Sequence, residues 1–203
     1  MTARILLREA TAEVHARLHT VPVFAALAAG RLSLAAYATL LHRLLGFHAA
    51  VEAALAAAPS LRPYGIDLAE RCRSDALRAD LATLGMPGAG PLAPLPPLGT
   101  AARALGCLYV VEGSTLGGRQ LARGLDPLLP AGAVAGRAFL LGHGPRHGAM
   151  WQACCAAIET CGAEPGGLDG MAAAARDTFA AFESWFSPAT GPLPQSCQVP
   201  SPP

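Results

Sequence analysis

The first predicted helix of the chain carries two side chains that could act on one ligand, Arg8 and His15. An α-helix advances about 100° and 1.5 Å per residue, so these two lie about 20° apart around the axis and roughly 10 Å apart along it. An imidazole can ligate a metal, and a guanidinium can pair with a carboxylate through parallel hydrogen bonds. The spacing suits a large flat ligand with a metal at its centre and carboxylates on its rim. The alternative is a surface helix that carries an Arg and a His with no ligand.

A second unusual segment is the predicted helix over 100–125, which contains Gly106, Gly113, Gly117 and Gly118. A glycine inside a helix costs about 1 kcal/mol relative to alanine, so several in one helix need a reason. The first three project within about 40° of one another, and Gly118 broadens the bare strip. One interpretation is a close helix–helix crossing, and the other is a flat ligand lying on exposed backbone. The tandem pair favours the ligand, because a crossing does not need two adjacent glycines.

Helical periodicity extends over almost the whole chain. Apolar spacing and capping residues predict helices over 3–19, 22–29, 34–57, 67–84, 100–125, 134–141, 147–161 and 168–186. Ser33, Asp67 and Thr100 are the predicted N-caps, and Gly30 is a predicted C-cap. No segment predicts a strand, and neither half of the chain has enough matched helices to close a core alone. We therefore predict an all-α protein with a single domain over 1–186.

Two segments are predicted to lack regular structure. Residues 85–99 contain five prolines and four glycines, which indicates a loop rather than a domain linker. Residues 187–203 are rich in Pro and Ser and are predicted to be a disordered tail.

Composition bounds the class of protein. Apolar residues make up 52% and charged residues 14%, with a net charge of +1, so no basic field points to nucleic acid. Arginines interrupt every apolar run of membrane-spanning length, and the N-terminus has no leader pattern, so we expect a cytoplasmic protein with no membrane partner. The six cysteines form no zinc-ligand or disulfide pattern, and we expect thiols in a reducing compartment.

Three segments together resemble the heme oxygenases. The first, over 8–15, reads REATAEVH and is similar to the family's proximal helix; the second, over 108–119, reads LYVVEGSTLGGR and is similar to its distal helix. Residues 179–185, FAAFESW, are similar to the family's closing helix. The resemblance covers roughly 3–186 and is closest to the small, bacterial, biliverdin-producing members that often accompany bacteriophytochromes.

The resemblance implies a fold and a set of site residues. The fold is a heme oxygenase-like helical bundle that holds heme between the proximal helix and a kinked distal helix. His15 is the implied iron ligand, and Arg8 takes the position of the family's basic contact to a heme propionate. On the distal side the resemblance implies catalytic or heme-facing roles for Gly113, Ser114, Gly117 and Gly118.

The resemblance also implies a reaction and its partners. Heme b is both cofactor and substrate, and its ring is opened at a meso carbon to give biliverdin, CO and ferrous iron. The reaction consumes O₂ and electrons supplied by a ferredoxin or a reductase. A bacteriophytochrome is the implied acceptor of biliverdin.

The chain departs from the family pattern at two positions. Animal-type members have an Asp directly after the first distal glycine, where it organises water; here that residue is Ser114. The carboxylate that often hydrogen-bonds the proximal histidine in those members corresponds to His19, so a backbone or water contact is expected to orient His15. Further candidates for propionate contacts are Arg119, Arg146 and Arg176.

Other functions stay open at this point. A non-catalytic heme or tetrapyrrole carrier or sensor on the same fold is one alternative, which Ser114 makes plausible. A helical enzyme that acts on thiamin-like compounds is another, and a cysteine nucleophile beside a carboxylate would favour it. His15 and His19 also have two-His metal spacing, but they lack the H-E-x-x-H pattern. His48 is predicted to be a core imidazole.

Overall fold

The chain, described here from a computed structural model, forms seven α-helices over residues 2–18 and 21–187, the part that the structure describes. They are α1 (Ala3–Leu18), α2 (Pro22–Ala28), α3 (Leu34–Ala56), α4 (Ser74–Thr83), α5 (Ala101–Arg123), α6 (His147–Gly162) and α7 (Gly167–Phe186). Single 3₁₀ turns lie at Arg62–Tyr64, Leu68–Arg71 and Gly144–Arg146. This described part contains no strand, which confirms the all-α class. His19 and the predicted tail beyond residue 187 lie outside the described residues.

The predicted helix ends at the two longest helices are confirmed by their hydrogen bonds. The Ser33 hydroxyl accepts the amide of Ala36 at 3.2 Å at the start of α3. The Thr100 hydroxyl accepts the amide of Arg103 at the same distance at the start of α5. These caps satisfy donors that have no partner within the helix. Gly30 follows α2 with φ of +64°, the left-handed conformation that favours glycine.

The single helix predicted over 67–84 is wrong, because the chain divides there. Asp67 caps a short turn that ends at Arg71, and α4 begins only at Ser74. The carboxylate of Glu52 on α3 accepts the amides of Arg73 and Ser74 at 2.6 and 2.8 Å. These amides therefore start a new helix instead of continuing the first one.

The short helix predicted over 134–141 is also wrong, because this segment is a series of turns. Asp80 on α4 accepts the amides of Ala138 and Phe139 at 2.8 and 2.9 Å. The buried guanidinium of Arg137 donates to carbonyl groups of neighbouring segments. Tertiary partners thus satisfy the backbone in place of helical hydrogen bonds.

The helix α5 lies at the centre of the fold, and α7 and α6 pack against it. Its residues Leu105 and Leu108 are at most 1% exposed and belong to the largest apolar cluster. The helix α1 packs chiefly on α7. The predicted loop over 85–99 is confirmed, and it is held to α3 by a hydrogen bond from the Ala93 amide to the Gly46 carbonyl at 3.1 Å.

Among the described residues one helix, α3, is long and apolar enough by length and composition to cross a membrane, although Arg43 interrupts it as expected. Most of it is buried inside the fold, and its core residues include Tyr37, Leu41 and Phe47. Its apolar surface is thus used for packing within this protein.

Candidate functional site

The helix α1 presents Arg8 and His15 on its exposed side. Both side chains belong to exposed residues, whereas Leu7, Thr11 and Val14 are buried. The buried residues recur at three- and four-residue steps, as a core-facing stripe requires. The structure therefore places the imidazole and the guanidinium together beside this stripe.

The imidazole of His15 lies against the ring of Phe179 on α7. The ring centroids are 6.2 Å apart, and the planes meet at 88°. Phe179 belongs to a small apolar cluster with Val14 from α1 and Val110 from α5. Three helices thus meet directly beside His15.

Carboxylates from α6 and α7 hold both ends of α1. At its first turn, the carboxylate of Glu159 accepts the amides of Ala3 and Arg4 at 2.9 and 3.1 Å. Near its last turn, Arg17 donates two hydrogen bonds to Glu183 at 2.8 and 2.9 Å. Hydrogen bonds from Arg17 hold the pKa of Glu183 below its ordinary value. This arrangement fixes the helix that carries His15.

The four glycines of α5 separate into two groups. A Cβ at Gly106 would clash with the backbone of Met171 on α7, and one at Gly118 would clash with the carbonyl oxygen of Leu140. At Gly106 glycine allows the close helix crossing of α5 and α7, and at Gly118 it allows close packing of α5 on the turns around Leu140.

The other two glycines face a different environment. A Cβ at Gly117 would meet no atom within 4 Å, and one at Gly113 would be in ordinary contact with Trp151 at 3.7 Å. Packing therefore does not require glycine at either position, and the ligand interpretation stays a prediction for this pair.

The open backbone of α5 continues the face that packs beside His15. At about 100° per residue, Val110, Gly113 and Gly117 project within about 60° of one another. Val110 is buried in the cluster with Val14 and Phe179, whereas Gly117 is exposed. The bare part of α5 thus begins where the cluster next to His15 ends.

The hydroxyl groups that follow Gly113 bond to their own helix. Ser114 donates to the carbonyl of Val111 at 2.7 Å, and Thr115 donates to the carbonyl of Glu112 at 2.6 Å. Both hydroxyl hydrogens are thereby used, and each hydroxyl oxygen keeps the capacity to accept a hydrogen bond.

The three further arginine candidates have different surroundings. Arg119 donates to the carbonyl of Gly144 at 2.9 Å, and Arg146 lies 3.6 Å from a carboxylate oxygen of Glu70. Arg176 is exposed on α7, three residues before Phe179. Among the three, Arg176 is therefore placed on the helix that contacts His15.

Sequence reasoning missed a buried ion cluster on α5. Glu112, directly before Gly113, pairs with Arg71 and His143, and the three side chains are 4–6% exposed. Burial raises the pKa of Glu112, but these two partners outweigh burial and hold it below its ordinary value. The sequence does carry one signal of this cluster. Glu112 is a lone carboxylate on the helix face that it shares with Leu105 and Leu108, and a charge on a buried face needs a partner.

No group of three or more metal-ligating side chains forms a cluster among the residues that the structure describes. His19, the second residue of the two-His alternative, is not among them. His48 is buried as predicted and packs edge-on against Phe139, with centroids 4.8 Å apart. Complete burial and the charge of Arg73 lower its pKa to about 3, so it stays neutral.

Among the five cysteines that the structure describes, none is an activated nucleophile. Cys72, Cys107, Cys154, Cys155 and Cys161 are free cysteines. Burial raises the pKa of Cys107 to about 11. Cys72 has a carboxylate neighbour in Glu52, but partial burial and that charge both raise its pKa. This observation disfavours the thiamin-type alternative.

Comparisons with known proteins bear on the fold. A sequence model of the heme oxygenase family matches residues 1–88, which include Arg8 and His15 and end before α5. A crystal structure of the NO- and CO-bound heme oxygenase from Neisseria meningitidis superposes with a TM-score of 0.75 and 24% sequence identity, covering 97% of this chain and 98% of that chain. The chain has the heme oxygenase fold. A comparison with curated proteins finds no match.

Proposed function

We propose that this protein is a biliverdin-producing heme oxygenase, which opens the heme ring at a meso carbon with O₂ and a reductant. One observation carries the proposal. The exposed imidazole of His15 packs on the three-helix cluster, and the open backbone at Gly117 lies two turns beyond Val110 of that cluster on the same side of α5, on a fold shared with the Neisseria heme oxygenase. The products are biliverdin, CO and ferrous iron.

The residues at this site fit heme. His15 supplies the imidazole nitrogen that iron accepts, and Gly113 with Gly117 leaves α5 without side chains that would fill the opposite face. Arg8 and Arg176 are exposed cations on the two helices that meet at His15, and both suit carboxylates on a heme rim. When bound, heme supplies an iron that takes O₂ and the ring that is opened.

The residues of α5 between Gly113 and Gly117 include no acidic side chain. Between the two glycines stand Ser114, Thr115 and Leu116, and both hydroxyl hydrogens are already donated to backbone carbonyls. A hydroxyl oxygen that can still accept a hydrogen bond is able to hold an ordered water. We infer that this water, positioned by Ser114, delivers protons in place of the Asp of animal-type members.

The remaining components of the proposal are partners. Electrons come from a ferredoxin or a reductase in the cytoplasm, and a bacteriophytochrome takes up the biliverdin. These components follow from the resemblance to the small bacterial members.

A non-catalytic heme carrier or sensor is the second candidate. The observation that favours it is the engaged hydroxyl of Ser114, which leaves this face of α5 with no side-chain proton donor. A carrier would bind heme at the same residues but would leave the ring intact.

A single-turnover experiment separates the two candidates. One equivalent of hemin is added to the full chain, followed by ferredoxin and its reductase in air, with catalase present to remove free peroxide. Loss of the Soret band together with growth of a biliverdin band supports the oxygenase. A Soret complex that stays intact identifies a carrier, and failure to bind hemin overturns both functions.

A further inference from the structure

The carboxylate of Glu112 is the centre of a buried ion cluster behind the glycine face of α5. Its Oε1 lies 3.1 Å from Nη1 of Arg71 and 3.4 Å from Nε2 of His143. That histidine nitrogen is buried and makes no hydrogen bond among the described residues, so its contact with Oε1 becomes an ion pair when the ring is protonated. A carboxylate that is only 3% exposed depends on these partners, because an unpaired buried charge is costly.

This cluster joins α5 to segments that are distant in sequence. Arg71 ends the 3₁₀ turn before α4, and both of its amino groups donate to the Met150 carbonyl on α6 at 3.3 Å. His143 lies in the connection that leads into α6. One carboxylate therefore fixes α5 relative to α6 and to two connecting segments.

The back surface of α5 is less tightly packed than the surfaces that contact α6 and α7. Its back surface borders a cavity of about 290 Å³, to which α5 contributes Leu108, Val111, Glu112 and Thr115. A helix surface that borders a cavity lacks the van der Waals contacts that would otherwise fix its position. The turns that follow contain Gly113, Gly117 and Gly118, which weaken the helix further.

We propose that Glu112 is a positioning residue for the distal wall of the heme site. At about 100° per residue, its side chain projects about 140° from Gly117 around the helix axis. Pairing with Arg71 and His143 therefore sets the rotation of α5, and with it the backbone that Gly113 and Gly117 present beside His15. This inference rests on the proposed heme oxygenase function, although the restraint on α5 exists without heme.

The test compares Glu112→Gln with the wild-type chain and with Glu164→Gln, a matched control. Glu164 lies after α6 and accepts a hydrogen bond from Tyr64, far along the chain from α5. The first readout is amide exchange in the heme-free protein. In Glu112→Gln, we expect exchange over 113–121 to accelerate by about tenfold or more, with α7 unchanged.

The second readout is the hemin complex. The affinity of Glu112→Gln for hemin should stay within about threefold of wild type, because the substitution does not touch His15, the proposed ligand of the iron. The C–O stretching band of the ferrous CO complex should broaden or shift, because the wall facing the bound gas is no longer held in one orientation. The control should show neither change.

A second variant, His143→Gln, keeps the test decisive if Glu112→Gln does not fold. It leaves the Arg71–Glu112 pair intact, and we expect the same two changes at smaller size. The positioning role would be overturned by a variant that is less stable to heat, whose amide exchange rises equally in all helices and whose C–O stretching band is unchanged. If wild-type protein binds no hemin, the proposed function fails, and the exchange measurement still decides whether Glu112 restrains α5.

Discussion

The imidazole of His15 meets the ring of Phe179 edge-on, with centroids 6.2 Å apart. One turn later on α7, Glu183 receives two hydrogen bonds from Arg17. The same face of α7 therefore contacts the proposed iron ligand and the residue two positions after it. Contact with α7 therefore contributes to the orientation of His15, for which the sequence predicted a backbone or water contact.

Replacing His15 by alanine should remove the axial ligand of bound hemin. We expect a changed Soret band and loss of the iron–imidazole stretch in resonance Raman spectra of the ferrous complex. Adding free imidazole should restore much of the wild-type spectrum. His42→Gln on α3 serves as the control. An unchanged spectrum in His15→Ala would remove this residue as the ligand.

The two adjacent glycines of α5 should respond in opposite directions to alanine. Gly117→Ala should stabilise the heme-free protein by about 1 kcal/mol, because the added methyl group meets open space and alanine favours helix. Gly118→Ala should destabilise it by roughly 1–3 kcal/mol, because its Cβ would clash with Leu140. Thermal unfolding measures both values.

The bulkier Gly117→Leu variant tests the heme-facing role itself. We expect it to fold, since no atom lies within 4 Å of the added Cβ and Gly117 is exposed, but to lose hemin affinity or turnover. Gly113 and the α1 side of the site are unaffected by this change. Full turnover in Gly117→Leu would contradict the proposal that this backbone faces heme.

The Arg17–Glu183 contact should make stability depend on acid pH. Hydrogen bonds from Arg17 lower the pKa of Glu183 below its ordinary 4.5, so the contribution is present above that pH and is lost as pH falls through the folded-state pKa. Glu183→Gln should therefore lower the melting temperature at pH 7. The difference in melting temperature between Glu183→Gln and wild type should shrink below about pH 4. A difference that is constant with pH would show that the charge is not involved.

His48 should remain neutral throughout the physiological range. Complete burial and Arg73 lower its pKa from 6.5 to about 3, whereas the unfolded chain takes up the proton near 6.5. The free energy of unfolding should therefore decrease as pH falls from 6.5 to about 3, by at most about 1.4 kcal/mol per pH unit. His48→Phe should flatten this dependence. Nuclear magnetic resonance titration that shows a His48 midpoint near pH 6 would contradict the burial argument.

Helix positions were predictable where local signals decide them. Ser33 and Thr100 cap their helices through side-chain oxygens three residues from the bonded amide, which is readable from sequence alone. The failures at 67–84 and 134–141 have a common cause. Their amides are taken by Glu52 and Asp80, carboxylates that come from distant parts of the chain and give no local signal.

The site was predictable in part. The helical phase of Arg8 and His15 followed from seven-residue spacing, and the structure confirms that both lie on the exposed side of α1. The glycine stripe was ambiguous, because spacing cannot distinguish a helix crossing from an open wall; the neighbours of Gly106 and Gly117 separate the two. The partners of Glu112 were beyond sequence reasoning, since they lie on other segments.

Counting the CO released per heme is the most direct test of the proposed heme oxygenase activity. Hemin bound to the full chain is turned over once in air with ferredoxin, its reductase and catalase, and the released CO is measured by its conversion of oxymyoglobin to carbonmonoxymyoglobin. We expect one CO for each heme lost, with one equivalent of biliverdin. Heme that is bound but yields no CO, or is bleached without it, would contradict the assignment.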